Sequence, residues 1–486
     1  MTMVRVRFAP SPTGQPHIGW ARTALFNWLF ARHEGGTFIL RIEDTDQSRS
    51  VEGAAQVFED AFGWLGFTYD EGPGKDGGHG PYLQSERLAS HLRVLSQLLA
   101  QEQAYPCFCS AQTLDAGRAE DRRLGRPPRY PGTCRDLTAA EGRARIAAGE
   151  AHVIRLKVPT AGTMVVHDLI RGGVSFDLSL LDDFVLLKAD GTPTYNFASV
   201  VDDAEMAISH VLRADEHLSN TPKQLILYQA MGKTAPIFAH VPMILAPDHS
   251  KLSKRHGATP IAEFMAQGFL PEAVVNYLMM LGWNPGGDRE FLTLDEAAQL
   301  FTLDRVQKNP AVYDTQKMTW MNAHYLRALD QGELWRRCRP FLAARGLLTE
   351  SADDTLVAYA KAALSLVQSR VATLAEAADA VTFFFKEPQA FDEEGVRRHF
   401  QRPGTAGRLT ALAERLADTD FTAAGLEGAL TALAQELGVP RAELIHPARL
   451  AVSGKTVGPG VFEMLAVLGP QRTVQRLQVA AQMAAP

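Results

Sequence analysis

Two short runs of residues have the types and spacing for phosphate chemistry. The first is Pro10-Ser11-Pro12-Thr13-Gly14-Gln15-Pro16-His17-Ile18-Gly19, a series of turn formers leading from a strand-like stretch into a helical one. The first turn of a helix offers unpaired N–H groups and the positive end of its dipole, which suit phosphate. His17 can donate to a phosphate oxygen, and Gly19 leaves room for a flat base against the backbone. The run is neither a Walker A sequence nor a GxGxxG fingerprint, so P-loop NTPases and plain Rossmann oxidoreductases lose ground. The second run, Lys251-Leu252-Ser253-Lys254-Arg255, gathers three cations and a hydroxyl in a loop. Such a group can clamp a triphosphate and stabilise charge on a leaving pyrophosphate. Taken singly, each run is unremarkable, because a lone loop histidine is mostly structural and a basic turn mostly solvated.

The elements around these runs follow from periodicity. Val4 to Phe8 alternates like a short strand, and from Ile18 the residues Ala21, Leu25, Trp28 and Leu29 recur at helical spacing until Gly35-Gly36. Thr37 to Ile42 reads as a buried strand that closes on Glu43-Asp44-Thr45-Asp46. Strand, helix and strand in that order imply a parallel sheet, whose ligands sit at the carboxyl ends of the strands. Ser85 to Gln101 reads as a helix. Asp183–Lys188 and Pro193–Val201 read as two strands joined by Asp190-Gly191. Leu225 to Met231 reads as a helix and Val241 to Leu245 as a strand. Beyond about residue 325, leucine and alanine at helical spacing dominate, as in Thr355 to Phe385 and Thr422 to Leu437. The fold class expected is an α/β catalytic half, a Rossmann-like parallel sheet with an inserted α/β domain, followed by all-α C-terminal domains.

Three of the four cysteines, Cys107, Cys109 and Cys134, fall in one short window with Tyr130. Too few for a disulfide scaffold, they are either free buried thiols or ligands of a structural Zn²⁺ whose fourth ligand is Tyr130 or water. A net charge of −6 argues weakly against a nucleic-acid partner. Arginines nevertheless cluster from Arg118 to Arg145 and from Arg336 to Arg345, and an acidic chain can present a local basic face. The opening residues have no apolar h-region, and the apolar stretch Ala273 to Trp283 is too short to span a bilayer. The chain is therefore expected in the cytoplasm, away from membranes.

Together, PSPTGQPHIG and KLSKR resemble the two signatures of class I aminoacyl-tRNA synthetases, known by the consensus HIGH and KMSKS. Trp20 stands where HIGH ends in histidine, and Leu252 where KMSKS has methionine. RFAPSPTG, RIEDTD, GTPTYNFASVVDDAEM, VLRADEHLSNTPKQ and AVSGKTVGPGVFEMLAVLG narrow the resemblance, over nearly the whole chain, to bacterial-type glutamyl-tRNA synthetases. The archaeal-type and glutaminyl enzymes carry β-barrel anticodon domains, of which the sequence shows no sign.

The resemblance implies ATP-dependent attachment of L-glutamate to tRNA(Glu) with Mg²⁺, and nothing in the sequence demands more than a monomer. It implies a Rossmann-like catalytic domain at 1–84 and 195–255 and an acceptor-binding insertion at 85–194. A stem-contact domain would follow at 256–325, and helical anticodon-binding domains at 326–388 and 389–486. The catalytic residues would be His17, Gly19, Lys251 and Lys254. A carboxylate wants a guanidinium and an ammonium wants a carboxylate. By resemblance, Arg7 and Arg213 hold glutamate carboxylates and Glu43 the ammonium, with Ala9, Ser11, Tyr195 and Ser199 completing the pocket. ATP would meet His17, Gly19, Glu216, Ile244, Lys251, Ser253, Lys254 and Arg255. Arg370, in LVQSRVATL, would read the third anticodon base.

Overall fold

The computed structural model describes residues 3–12, 15–45, 53–252, 260–348 and 353–484. The chain forms two compact units, one of residues 1–263 with 274–315, the other of 264–273 with 316–486. Among the described residues, no helix is long and apolar enough to cross a membrane.

In the first unit, β1 (Arg5–Phe8) runs parallel to β2 (Thr37–Leu40), in register from Arg5↔Thr37 to Phe8↔Leu40. Helix α1 (Ile18–His33) crosses between them, with Ala24, Leu25 and Leu29 wholly buried. Gly36 lets the crossover close: a Cβ there would lie 2.3 Å from the Val4 carbonyl oxygen. The alternation of β1 suggests one wet face, but all four of its residues are buried. Its arginines are neutralised in place: Arg5 donates to both oxygens of Glu71, at 2.7 and 2.8 Å, and Arg7 pairs with Asp203.

After helices α2 (Ala54–Leu65) and α3 (Leu88–Ala100) comes a small antiparallel sheet. It consists of β3 (Ala104–Cys107), β4 (Val153–Leu156) and, further along the chain, β7 (Val185–Leu187). The arginine-bearing helices α4 (Ala111–Arg123) and α5 (Ala139–Ala147) lie between β3 and β4, and α4 has no buried residue. A second sheet has the order β6-β5-β9-β8, from β5 (Thr163–Asp168), β6 (Gly172–Asp177), β8 (His210–Ala214) and β9 (Ile237–Val241). β8 and β9 are parallel over their whole length, and β5 joins β9 in parallel at Asp168↔Phe238.

Two readings of the sequence need correction. Pro193–Val201 is not a strand: the turn at Asp190-Gly191 is present, but α6 (Tyr195–Glu205) begins at once. Phe197, Val200 and Val201 bury a helical face against Val94 and Leu98 of α3 and Ile226 and Leu227 of α7 (Thr221–Ala230). The β-forming side chains misled because tertiary packing decides such segments. The strand expected from Val241 to Leu245 is interrupted at Pro242, which has no N–H to give. β9 ends at Val241, and the short β10 (Ile244–Leu245) pairs instead with β11 (Ala311–Val312).

The second unit contains no strand among its described residues. Its helices include Asp354–Val367, Thr405–Ala417, Ala423–Glu436 and Pro470–Met483. Leu409, Leu412 and Leu416 form the buried stripe of one, and Leu426, Leu430 and Leu433 that of another. The α/β-then-helical order expected from the sequence is what the chain adopts.

Candidate active site

A cavity of about 940 Å³ opens in the first unit where β1 and β8 end and α1 begins. Its wall includes Arg7, Ala9, Ser11, His17, Gly19, Glu43, Tyr195, Arg213, Glu216, Ile244 and Lys251. Every candidate residue of the α/β half that the structure describes, outside the cysteine cluster, therefore meets here, with one exception. Ser199 is buried on α6 under the wall, where its hydroxyl accepts from Arg41 Nη2 at 3.4 Å. Ser253, Lys254 and Arg255 lie outside the described residues, as do Thr13 and Gly14.

His17 caps α1. Its Nδ1 accepts the Gly19 N–H at 3.2 Å, which places the proton of the neutral ring on Nε2. Burial, and then Lys251, hold the ring below the ordinary histidine range against the pull of Glu216, so it is a neutral donor. A Cβ at Gly19 would stand 3.1 Å from His17 Cε1, so a larger residue would press on the ring that caps the helix. Lys251 Nζ donates to Glu216 Oε2 at 2.8 Å. With both side chains well exposed, the pair is weak and exchangeable.

Beneath the other side of the cavity lies a buried charge network. Arg7 meets Asp203 through two hydrogen bonds, and Arg41 bridges Asp203 at 2.6 Å and Glu43 at 3.1 Å. Burial raises the Glu43 carboxyl above its ordinary range, although Arg41 and Arg7 pull it down. Arg213 is buried too, yet none of its hydrogen bonds goes to an acid. It donates to His240 Nε2 at 3.1 Å and Thr221 Oγ1 at 2.9 Å, while Nη1 has no partner among the described residues. Arg22 of α1 is the third buried guanidinium of the wall. It donates to the Pro242 and Leu281 carbonyls, and burial brings its pKa down to about 10.

Comparison with known proteins decides what this cavity belongs to. Residues 3–320 match the family described as "tRNA synthetases class I (E and Q), catalytic domain", and residues 333–481 match "Anticodon binding domain". The chain belongs to the class I tRNA synthetases. It is 51% identical to a glutamate–tRNA ligase of Moorella thermoacetica over 99% of each chain. To a glutamate–tRNA ligase of Desulforudis audaxviator it is 50% identical, over 98% of this chain and 96% of that one. Among solved structures it is similar to a glutamate tRNA ligase from Elizabethkingia meningosepticum in complex with its amino acid. The TM-score is 0.89 at 35% identity, covering 99% of this chain and 100% of that one.

In this synthetase the cysteines of the 85–194 region do converge. The sulfurs of Cys107, Cys109 and Cys134 all lie within 4.8 Å of one another, and Cys109 and Cys134 are 3.7 Å apart. The edge of a tetrahedral zinc–sulfur site is about 3.8 Å, so the donor set fits that metal. The Tyr130 hydroxyl accepts from Cys107 Sγ at 3.4 Å and from the Cys134 N–H at 3.0 Å. Burial raises the Cys107 thiol, but the Tyr130 hydroxyl and Arg155 bring it below its ordinary value. Burial, and then Cys134, push Cys109 up to about 11.

Arg370 ends a short 3₁₀ turn in the helical unit and lines a separate cavity of about 430 Å³ with Phe383, Lys455, Val457 and Pro459. Arg22, Arg41, Asp203, His217 and His240, all at or beneath the main cavity, were not among the site residues expected from the sequence. Each is an ordinary polar residue until folding closes a distance of up to two hundred positions or more.

Proposed function

We propose that this synthetase joins L-glutamate to tRNA(Glu) by way of a glutamyl-adenylate made from ATP, the activity that the names of its relatives describe. The observation that carries the amino-acid side is Arg213, a buried guanidinium on the cavity wall whose Nη1 has no partner, and which binds no acid, among the described residues. Such a group is a receptor for a carboxylate. Glu43 is the acid for the substrate ammonium, and Arg7, Ala9, Ser11 and Tyr195 complete the pocket. Ser199 acts only through Arg41.

A carboxylate oxygen of glutamate attacks the α-phosphorus of ATP, and the bond to the bridging oxygen breaks to release pyrophosphate. His17, through its Nε2–H, and Lys251 with Lys254 neutralise charge on these phosphates. The Gly19 backbone and Ile244 receive the nucleoside, and Ser253 and Arg255 complete the clamp. Mg²⁺, when bound, screens the triphosphate. Glu216 is the wall carboxylate beside Lys251 and would supply its protein oxygen. A hydroxyl of the terminal adenosine then attacks the activated carbonyl, loses its proton and displaces AMP. No protein nucleophile enters, so positioning and electrostatics supply the rate.

The remaining assignments rest on the same reading. Cys107, Cys109, Cys134 and Tyr130 hold a structural Zn²⁺ that braces the 85–194 insertion, Arg370 reads the third anticodon base, and the enzyme works as a cytoplasmic monomer. The domain limits follow the scheme 1–84 with 195–255, 85–194, 256–325, 326–388 and 389–486. The deciding experiment is glutamate-dependent ATP–pyrophosphate exchange with and without tRNA, then charging of purified glutamate and glutamine tRNAs. Exchange that needs tRNA, with charging of the glutamate tRNA, is expected. Absence of exchange with tRNA bound would leave a non-catalytic tRNA-binding protein.

A further inference from the structure

Arg213 does not aim itself. A long side chain with its charge out of water needs partners that fix its plane, and four are present among the described residues. Its guanidinium lies over the Phe238 ring, 5.3 Å from the centroid. Its Nη2 donates to Thr221 Oγ1 and, at 3.4 Å, to the His217 carbonyl, and its Nε donates to a ring nitrogen, His240 Nε2.

The last contact is chemically demanding. An imidazole nitrogen accepts a hydrogen bond only when it carries no proton. His240 must therefore be neutral with its proton on Nδ1, the less common arrangement for a free ring. Asp168 imposes it. Its Oδ2 lies 2.6 Å from His240 Nδ1, and both side chains are fully buried. The carboxylate cannot easily turn away, because Oδ1 accepts the Ile170 and Arg171 N–H groups at 2.9 and 2.7 Å. Thr221 closes the ring: its Oγ1 accepts from Arg213 Nη2 and lies 3.2 Å from His240 Nε2. With Nε and Nη2 committed, Nη1 is the nitrogen left for a ligand.

We propose that Asp168 and His240 are positioning residues for amino-acid recognition: Asp168 sets the tautomer of His240, and His240 holds Arg213 so that Nη1 meets the carboxylate of the substrate side chain. The inference rests on the assignment of Arg213 as a substrate receptor. It adds that selectivity for an acid over its amide depends on a carboxylate from β5, in the region read as an insertion.

The test has two parts. The first uses the unaltered protein: ¹⁵N spectra of histidine-labelled enzyme, with the His240 signals assigned by comparison with His240→Gln. A neutral ring protonated on Nδ1 is expected, and an Nε2–H ring overturns the proposal. The second is kinetic. His240→Phe removes the acceptor and should raise KM for glutamate roughly ten- to hundredfold, with KM for ATP and tRNA unchanged and discrimination against glutamine reduced. His240→Gln, which can accept from Arg213 and donate to Asp168, should restore most of the loss. Equal loss in His240→Phe and His240→Gln, or loss in kcat alone, means a merely structural pair. Arg213→Ala separates the two levels. If it raises KM for glutamate and His240→Phe does not, only this proposal falls; if it leaves KM unchanged, the Arg213 assignment falls as well.

Discussion

Arg7 and Asp203 face each other through paired hydrogen bonds, Nε to Oδ1 at 3.1 Å and Nη2 to Oδ2 at 3.2 Å, and Arg41 shares the same carboxylate. One buried acid thus serves two buried guanidinium groups under the amino-acid pocket. Asp203→Asn keeps the shape and removes the charge. We expect a loss of about 3–5 kcal/mol in stability, the usual result of stripping one partner from a buried pair. The urea midpoint measures it, and an unchanged midpoint would show that solvent or neighbouring acids carry the compensation.

Among the described residues the Lys251 side chain is tethered only to the exposed Glu216, so its replacement should cost little stability. Lys251→Ala and Lys254→Ala are each expected to slow adenylate formation by roughly 10²–10³-fold while tRNA affinity changes far less. Parallel losses in rate and tRNA affinity would contradict a role at the phosphates.

His217 is held at about pKa 4, first by burial and then by Arg213, and burial also lowers His17, His210 and His240. The unfolded chain binds protons on these rings at higher pH than the folded one does, so stability rises with pH across the window. It is complete above the ordinary value of 6.5 and declines as the pH falls, down to about 4 for His217. Denaturation midpoints taken through this range should fall on acidification, and His217→Asn should flatten part of the slope. A flat profile in the unaltered protein would remove the linkage.

The three-sulfur cluster predicts one zinc per chain in freshly purified protein, lost in Cys134→Ser. Removal of the metal should loosen the region around β3 and β4 without unfolding the cavity, which hydrogen exchange would resolve by segment. Metal-free protein with an intact, reduced cluster would leave buried thiols instead.

Arg370→Gln should relax discrimination between glutamate and glutamine tRNAs by roughly five- to 150-fold, the value of a bidentate base contact. Unchanged selectivity would make Arg370 only part of the cavity wall.

How far the sequence was legible depended on distance along the chain. His17 and Gly19 were visible because a strand, a turn and a helix start lie within a few residues, and the geometry is local. Glu43 was visible because it follows a recognisable strand, whereas Arg213 came only from the resemblance of VLRADE, since its strand β8 was not read from the sequence. Tyr195 was found in the right place but on the wrong element, since TYNFASVV has strand-forming side chains and a helical burial pattern only once α3 and α7 are present. Asp168 and His240 carry no local signature at all. They become a pair when β5 meets β9, a pairing of strands from different parts of the chain that no periodicity announces.

The buried guanidinium of Arg22 has a consequence for the order in which the chain is made. Its acceptors are the carbonyls of Pro242 and Leu281, 220 and 259 residues further on. At ribosomal speeds the interval between them is on the order of tens of seconds. Throughout that time the helix lacks the two carbonyls that hold Arg22 in the folded unit. Arg22 is made early, but its burial is completed only by a segment that leaves the exit tunnel late.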